Sequence, residues 1–259
     1  MDDLAFAIEE YYREHGYPFA AAEYLRTAAG YTLRIAEGPR VTVEEVRIEG
    51  AAAFPPERLR ALASLPEEGL PGFAVRPYVA HRVQACAAAI AREYAVHGYH
   101  EAAVEKPAVE FLEDGSRARV TIRLREGPQY VLERIASAGV PHLAPEAVEA
   151  RIGYLRAAAY TAEARNELER AVEDLYADEG YPDARVATEE QIAGAAEPRA
   201  RVAVTLVLHA RPGPRTVVRA ILIRGNTRTA DGPILARMAS SPRAVSENPS
   251  GAIPSQRMG

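Results

Sequence analysis

The stretch Ile90-Ala91-Arg92-Glu93-Tyr94-Ala95-Val96-His97-Gly98-Tyr99 decides the fold, because its pattern occurs three times in the chain. The copies are Leu4, Ile8, Tyr12, Gly16, Tyr17; then Cys86, Ile90, Tyr94, Gly98, Tyr99; then Leu168, Val172, Tyr176, Gly180, Tyr181. Their interval is constant, since 99 − 17 = 82 and 181 − 99 = 82. A fixed period of that size is the signature of a tandem array of one small domain. Within each copy the apolar residues lie four apart, on one face of a helix. The glycine ends that helix as a residue that must turn left-handed.

A second mark recurs in step with the first. Gly38-Pro39, Gly127-Pro128 and Gly213-Pro214 are each followed by an alternating apolar run that closes on glycine: Val41 to Gly50, Tyr130 to Gly139 and Thr216 to Gly225. Alternation with period two is the pattern of a half-buried strand, so each Gly-Pro joins the last strand of one unit to the first of the next.

One complete unit spans residues 40–128. A first strand runs to Gly50, and Pro55-Pro56-Glu57 opens a short helix carrying Leu59, Leu62 and Leu65. A loop from Pro66 to Pro71 leads to a longer helix from about Tyr78 to His97. A strand over Ala102 to Leu112, a turn at Asp114-Gly115 and a strand carrying Val120, Ile122 and Leu124 complete the order β-α-α-β-β. Residues 129–214 repeat it, with strands near Ala184 to Ile192 and Val202 to Leu208. The fold class is therefore α+β, a tandem array of small domains, each a three-stranded sheet backed by two helices.

The ends of the chain carry partial copies. Residues 1–39 supply only a second helix and a hairpin, and residues 215–239 only a first strand and the start of a helix, with Ile234 at the register of Leu59 and Val148. Residues 240–259 read as a disordered tail. The expectation is a piece of a longer array.

Composition bounds the function. A net charge of −5, with the 31 basic residues interspersed among acids, disfavours a nucleic-acid or anionic-membrane partner. No apolar stretch is long enough for a membrane helix, and Met1-Asp2-Asp3 is acidic where a signal peptide would be basic. Cys86, on an apolar stripe where the sister copies have leucine, reads as a small core residue. The six histidines form no ligand pair, so no metal site or cofactor is expected. His15 and His97, each just before the helix-ending glycine, suit the helix dipole. No catalytic motif is present, and no enzyme activity is expected.

Gly69-Leu70-Pro71-Gly72 between two helices invites a rival reading, since KH domains clamp a nucleic-acid backbone with such a loop. Glu67 and Glu68 beside it would repel phosphate, and the sister copy reads Gly153-Tyr154-Leu155-Arg156. A simple turn is the better reading.

With the repeat laid out, the sequence resembles the polypeptide-transport-associated (POTRA) family. The resemblance is carried by the β-α-α-β-β unit, the Gly-Tyr ending its second helix, the Glu-Gly-Pro ending its last strand and the strand closing on Gly225-Asn226-Thr227. The third Gly-Pro mark departs from it, with Pro212 where Glu37 and Glu126 predict an acid. The tandem arrangement is similar to the periplasmic arms of outer-membrane assembly proteins of the BamA and TamA type. It implies a binding and scaffolding role at the periplasmic side of the outer membrane. The implied partners are unfolded outer-membrane proteins, accessory periplasmic proteins or lipoproteins, and a C-terminal membrane barrel absent from this chain. An interaction module of a divisome or two-partner secretion protein is the alternative within the same family.

A mechanism follows from the strands. If the second strand of each unit lies at a sheet edge, its free backbone groups can pair with an extended client whatever the client's sequence. Pro107, inside the run Ala102 to Leu112, favours an edge, because a central strand would lose a ladder hydrogen bond there. The expected pairing residues are Ala103, Val104 and Glu105 in one unit and Arg185, Val186 and Ala187 in the next. The glycines expected to be structural are Gly16, Gly98 and Gly180, with Gly38, Gly127 and Gly213.

Overall fold

The three Tyr-x-x-x-Gly-Tyr stretches end their helices by one geometry in the computed structural model, which describes residues 2–27, 30–69, 74–112, 115–192, 200–217, 221, 223–225 and 230–239. The N–H of Tyr17, Tyr99 and Tyr181 donates to the carbonyl of Tyr12, Tyr94 and Tyr176 at 3.0, 3.0 and 2.8 Å. The glycine N–H donates three residues back, to Arg13, Ala95 and Ala177. This is the Schellman pair of bonds, which needs a left-handed residue at the glycine. Gly16, Gly98 and Gly180 have φ of 91, 86 and 91°. The two tyrosines of each copy then meet edge to face, with ring centroids 5.7, 5.3 and 6.1 Å apart.

The chain divides into two compact units, residues 1–129 with 196–201 and residues 130–195 with 202–259. In the first, helix α1 (Asp2–Glu14) packs on a two-stranded antiparallel sheet of β1 (Ala21–Thr27) and β2 (Gly30–Ala36). There follow β3 (Thr42–Glu49), α2 (Pro56–Leu62), α3 (Ala80–Val96), β4 (Ala103–Val104), β5 (Ala108–Phe111) and β6 (Arg117–Arg125). Strand β6 is central, with β3 parallel on one side and β4 and β5 antiparallel on the other. Its alternation is complete: Ala118, Val120, Ile122 and Leu124 are buried, while Arg117, Arg119 and Arg123 on the opposite face pair with Glu44, Glu45 and Glu49 of β3. The buried side meets Val83, Cys86, Ile90 and Tyr94 of α3 and Leu59 of α2.

The second unit contains β7 (Gln129–Gly139), α4 (Pro145–Ile152), a 3-10 turn at Gly153–Leu155, α5 (Ala162–Asp178), β8 (Arg185–Ile192) and β9 (Arg201–Arg211). Its strand order is β7-β9-β8, and its core joins Leu132, Ile152, Leu168, Val172 and Tyr176 to Val204, Leu206 and Leu208. Helix α6 (Asp231–Ala239) follows, with Ile234 half-buried.

The second Gly-Pro mark has a steric cause. A Cβ on Gly127 would lie 3.0 Å from Cβ of Glu101, and one on Gly38 3.3 Å from Cβ of Phe19. Phe19 and Glu101 each stand two residues after their Gly-Tyr tyrosine, so the two marks of the repeat meet in space. The glycine closing each first strand is tighter still. A Cβ on Gly50 would sit 2.0 Å from the Leu124 carbonyl oxygen, and one on Gly139 2.4 Å from that of Leu208.

Four details differ from the sequence expectations. The strand expected over 102–112 is two, because Pro107 has no N–H to give the β6 ladder. Helix α2 ends at Leu62, so Leu65 is buried from the loop beyond it. The long helix starts at Ala80, with Tyr78 and Val79 still ahead of it. The strand expected over Thr216 to Gly225 is absent among the described residues there, which have no ladder partner. Leu70, Pro71 and Gly72 of the Gly-x-x-Gly loop, Asp114, Asn226, Thr227 and the tail from residue 240 lie outside the described residues.

Candidate functional site: the sheet edges

Strand β4 lies at an edge of its sheet, and it brings Ala103 and Val104 there with Glu105 immediately after. Ala103 faces Arg125 and Val104 faces Leu124, while the Glu105 N–H donates to the Arg123 carbonyl at 2.8 Å. In an antiparallel ladder alternate residues bond inward, so with Glu105 bonded to β6 the N–H and C=O of Val104 point away from the sheet. No hydrogen bond to the Val104 N–H occurs among the described residues. Val104 itself is half-buried against α3 and Glu105 is exposed.

Strand β8 lies at the edge of its sheet in the same way, with Arg185, Val186 and Ala187 opposite Arg211, Ala210 and His209. Its outward groups, however, are engaged. The Val186 N–H donates to Oε1 of Glu173 at 3.0 Å, and the N–H and hydroxyl of Thr188 donate to Oε1 of Glu169 at 3.1 and 2.7 Å. Both glutamates come from α5. Strand β1 shows the same arrangement, the Ala22 N–H donating to Oε1 of Glu9 on α1 at 2.9 Å. That bond is the largest cause holding the Glu9 carboxyl below its ordinary range, with Arg13 assisting.

The junction around these edges is built from the repeat marks. The buried Glu126 carboxylate accepts from the Tyr94 hydroxyl at 2.8 Å and from the N–H groups of Ala52 and Ala53 at 2.6 Å each. In the first copy the Tyr12 hydroxyl donates to Glu37 at 2.8 Å. In the third, with Pro212 in the acid's place, the Tyr176 hydroxyl turns to the Pro141 carbonyl at 2.5 Å. Arg40 and Gln129, each the residue after a Gly-Pro, donate to the carbonyls of His15 and His97 at the ends of the neighbouring helices. The histidines donate Nδ1–H to Tyr11 and Glu93 carbonyls one turn back.

Sequence reasoning located both edges and missed the glutamates. Their signal is visible once the copies are superposed at the 82-residue interval, which places Glu9, Ala91 and Glu173 at one position and Ala22, Val104 and Val186 at another.

Paired helices behind a short mixed sheet with β-α-α-β-β order define a small α+β domain whose sheet edge lies beside its second helix. The POTRA family model, described as a surface antigen variable number repeat, matches residues 41–127. The chain is 26% identical over 249 residues to the outer membrane protein assembly factor BamA of Nitratidesulfovibrio vulgaris, covering 89% of this chain and 30% of that protein. Among solved structures it is similar to POTRA domains 3–5 of Haemophilus influenzae BamA (21% identity, TM-score 0.42, 78% of each chain). It is also similar to the N-terminal domain of Omp85 from Thermosynechococcus elongatus (16% identity, TM-score 0.36, covering 81% of this chain and 82% of that one). Residues 41–127 are thus matched to POTRA, and most of the chain is similar in sequence to a BamA assembly factor. It spans about three-tenths of the length of the curated relatives it matches.

Proposed function

We propose that this chain is a binding and scaffolding module, without catalysis, on the periplasmic side of the outer membrane, within a machine that assembles outer-membrane proteins. It takes unfolded client strands by pairing them to a sheet edge and works beside accessory periplasmic proteins or lipoproteins and a membrane barrel. Its pairing stretches are Ala103, Val104 and Glu105 and, when its Val186 N–H is released from Glu173, Arg185, Val186 and Ala187. Two supports lie outside the edges themselves: the match of residues 41–127 to POTRA and the similarity to BamA along most of the chain.

The observation that carries the mechanism is the Val104 backbone, directed away from β6 at the edge of the sheet. Pairing through N–H and C=O reads no side chain, which suits a module that must accept many clients. Val104→Pro tests it. Proline removes that outward donor and is tolerated at an edge. Titrated with an eight-residue peptide of alternating Val and Thr, the variant should bind at least about tenfold more weakly than wild type. Arg92→Ala, an exposed change on α3, should bind as wild type does. Equal affinity in all three proteins would overturn edge pairing.

A further inference from the structure

The pairing edges of this chain differ in one respect that the repeat makes plain. At the position where α1 has Glu9 and α5 has Glu173, α3 has Ala91; where α5 has Glu169, α3 has Ala87. The glutamates each place a carboxylate oxygen on an outward strand N–H, Ala22 for Glu9, Val186 for Glu173 and Thr188 for Glu169. Alanine has no such oxygen, and among the described residues the corresponding Val104 N–H receives none.

The spacing explains why carboxylates can fill this role. Glu169 and Glu173 stand one helical turn apart, about 6 Å along α5, and outward N–H groups on a strand recur every two residues, about 6.7 Å. Two glutamate oxygens at that interval stand where two successive carbonyls of an added strand would stand. The groove between α5 and β8 is thus occupied by a side-chain imitation of a client backbone. Between α3 and β4 the matching positions are Ala87, which is buried, and Ala91, which is half-buried, so neither position supplies a side-chain oxygen to the Val104 edge.

We infer that Glu169 and Glu173 form a latch closing the pairing edge of the second unit, and that Ala87 and Ala91 leave the Val104 edge as the one that accepts an extended polypeptide strand through its backbone. The inference rests on the edge-pairing reading and adds which edge is competent and which residues decide it. Removing the latch opens the second edge. Installing a glutamate at position 91 closes the first.

The test uses the full chain labelled with nitrogen-15, the alternating Val and Thr peptide, and the variants Glu169→Ala/Glu173→Ala, Glu173→Gln and Ala91→Glu. In wild type the peptide should shift the amides around Val104 and leave Val186 and Thr188 unmoved. In the double alanine variant the Val186 and Thr188 amides should exchange with solvent at least about tenfold faster without peptide and should shift when peptide is added. Glu173→Gln retains the acceptor oxygen and should keep the wild-type protection, which separates loss of the bond from loss of the fold. Ala91→Glu should weaken peptide binding at Val104 at least about tenfold. If wild type takes peptide equally at Val104 and Val186, or if exchange at Val186 is unchanged without the glutamates, the latch is overturned and edge pairing stands. If no amide at any edge responds in any variant, edge pairing falls and the latch inference with it.

Discussion

Gly50 and Gly98 recur in the repeat for different physical reasons, and substitution should separate them. Gly98 needs a backbone conformation, φ 86°, that an L side chain adopts at a cost. Gly98→Ala should therefore destabilise by about 1 kcal/mol. Gly50 needs empty space as well, since its Cβ would lie 2.0 Å from a carbonyl oxygen of the central strand β6. A backbone atom in the middle of a sheet cannot swing aside as a side-chain tip can, so Gly50→Ala should cost about 3 kcal/mol. Urea unfolding monitored by circular dichroism measures both, with an unchanged slope showing that stability alone has moved. Equal losses at the two positions would contradict the assignment of Gly50 to close strand passage. The helix-ending glycine was legible in the sequence because its Tyr-x-x-x-Gly-Tyr context is local. The role of Gly50 was not, because Leu124 lies far along the chain and meets it only through the parallel pairing of β3 with β6.

At the scale of elements, one tyrosine ties the second helix of each copy to a different acceptor. Tyr94 donates to the buried carboxylate of Glu126, which also holds the backbone of Ala52 and Ala53 after β3. Tyr176 donates to a backbone carbonyl, because Pro212 stands where the acid would be. Hydrogen bonds to a carboxylate are about twice as strong as neutral ones, and a buried carboxylate that loses a donor keeps its desolvation cost. Tyr94→Phe should accordingly destabilise its unit by about 2 kcal/mol and Tyr176→Phe by about 1 kcal/mol. Thermal unfolding of the two variants checks the order, and a larger loss for Tyr176→Phe would contradict it. The Glu-Gly-Pro mark was visible in the sequence, but nothing local announces that its acid reaches a tyrosine 32 residues earlier. Strand limits show the same division. Pro107 marked the edge in advance, and the ladder it interrupts decided where β4 ends and β5 begins.

Over the whole molecule, the 82-residue interval made the architecture readable, because each copy repeats the same glycines, tyrosines and alternating strands. The interval also contains the difference between edges, Glu9 and Glu173 against Ala91, which becomes meaningful only when the fold sets those positions beside Ala22, Val186 and Val104. Residues that repeat hold the domain together, and on the latch proposal the residue that departs from the repeat decides where the chain can be extended by another strand. The central claim is that an extended polypeptide adds to this chain by hydrogen bonding at the Val104 edge. Amide hydrogen exchange at Val104, measured by NMR with and without the alternating Val and Thr peptide, tests it most directly. Backbone pairing predicts at least about tenfold slower exchange of the Val104 amide when peptide is bound. Bound peptide that leaves the Val104 exchange rate unchanged would contradict the account.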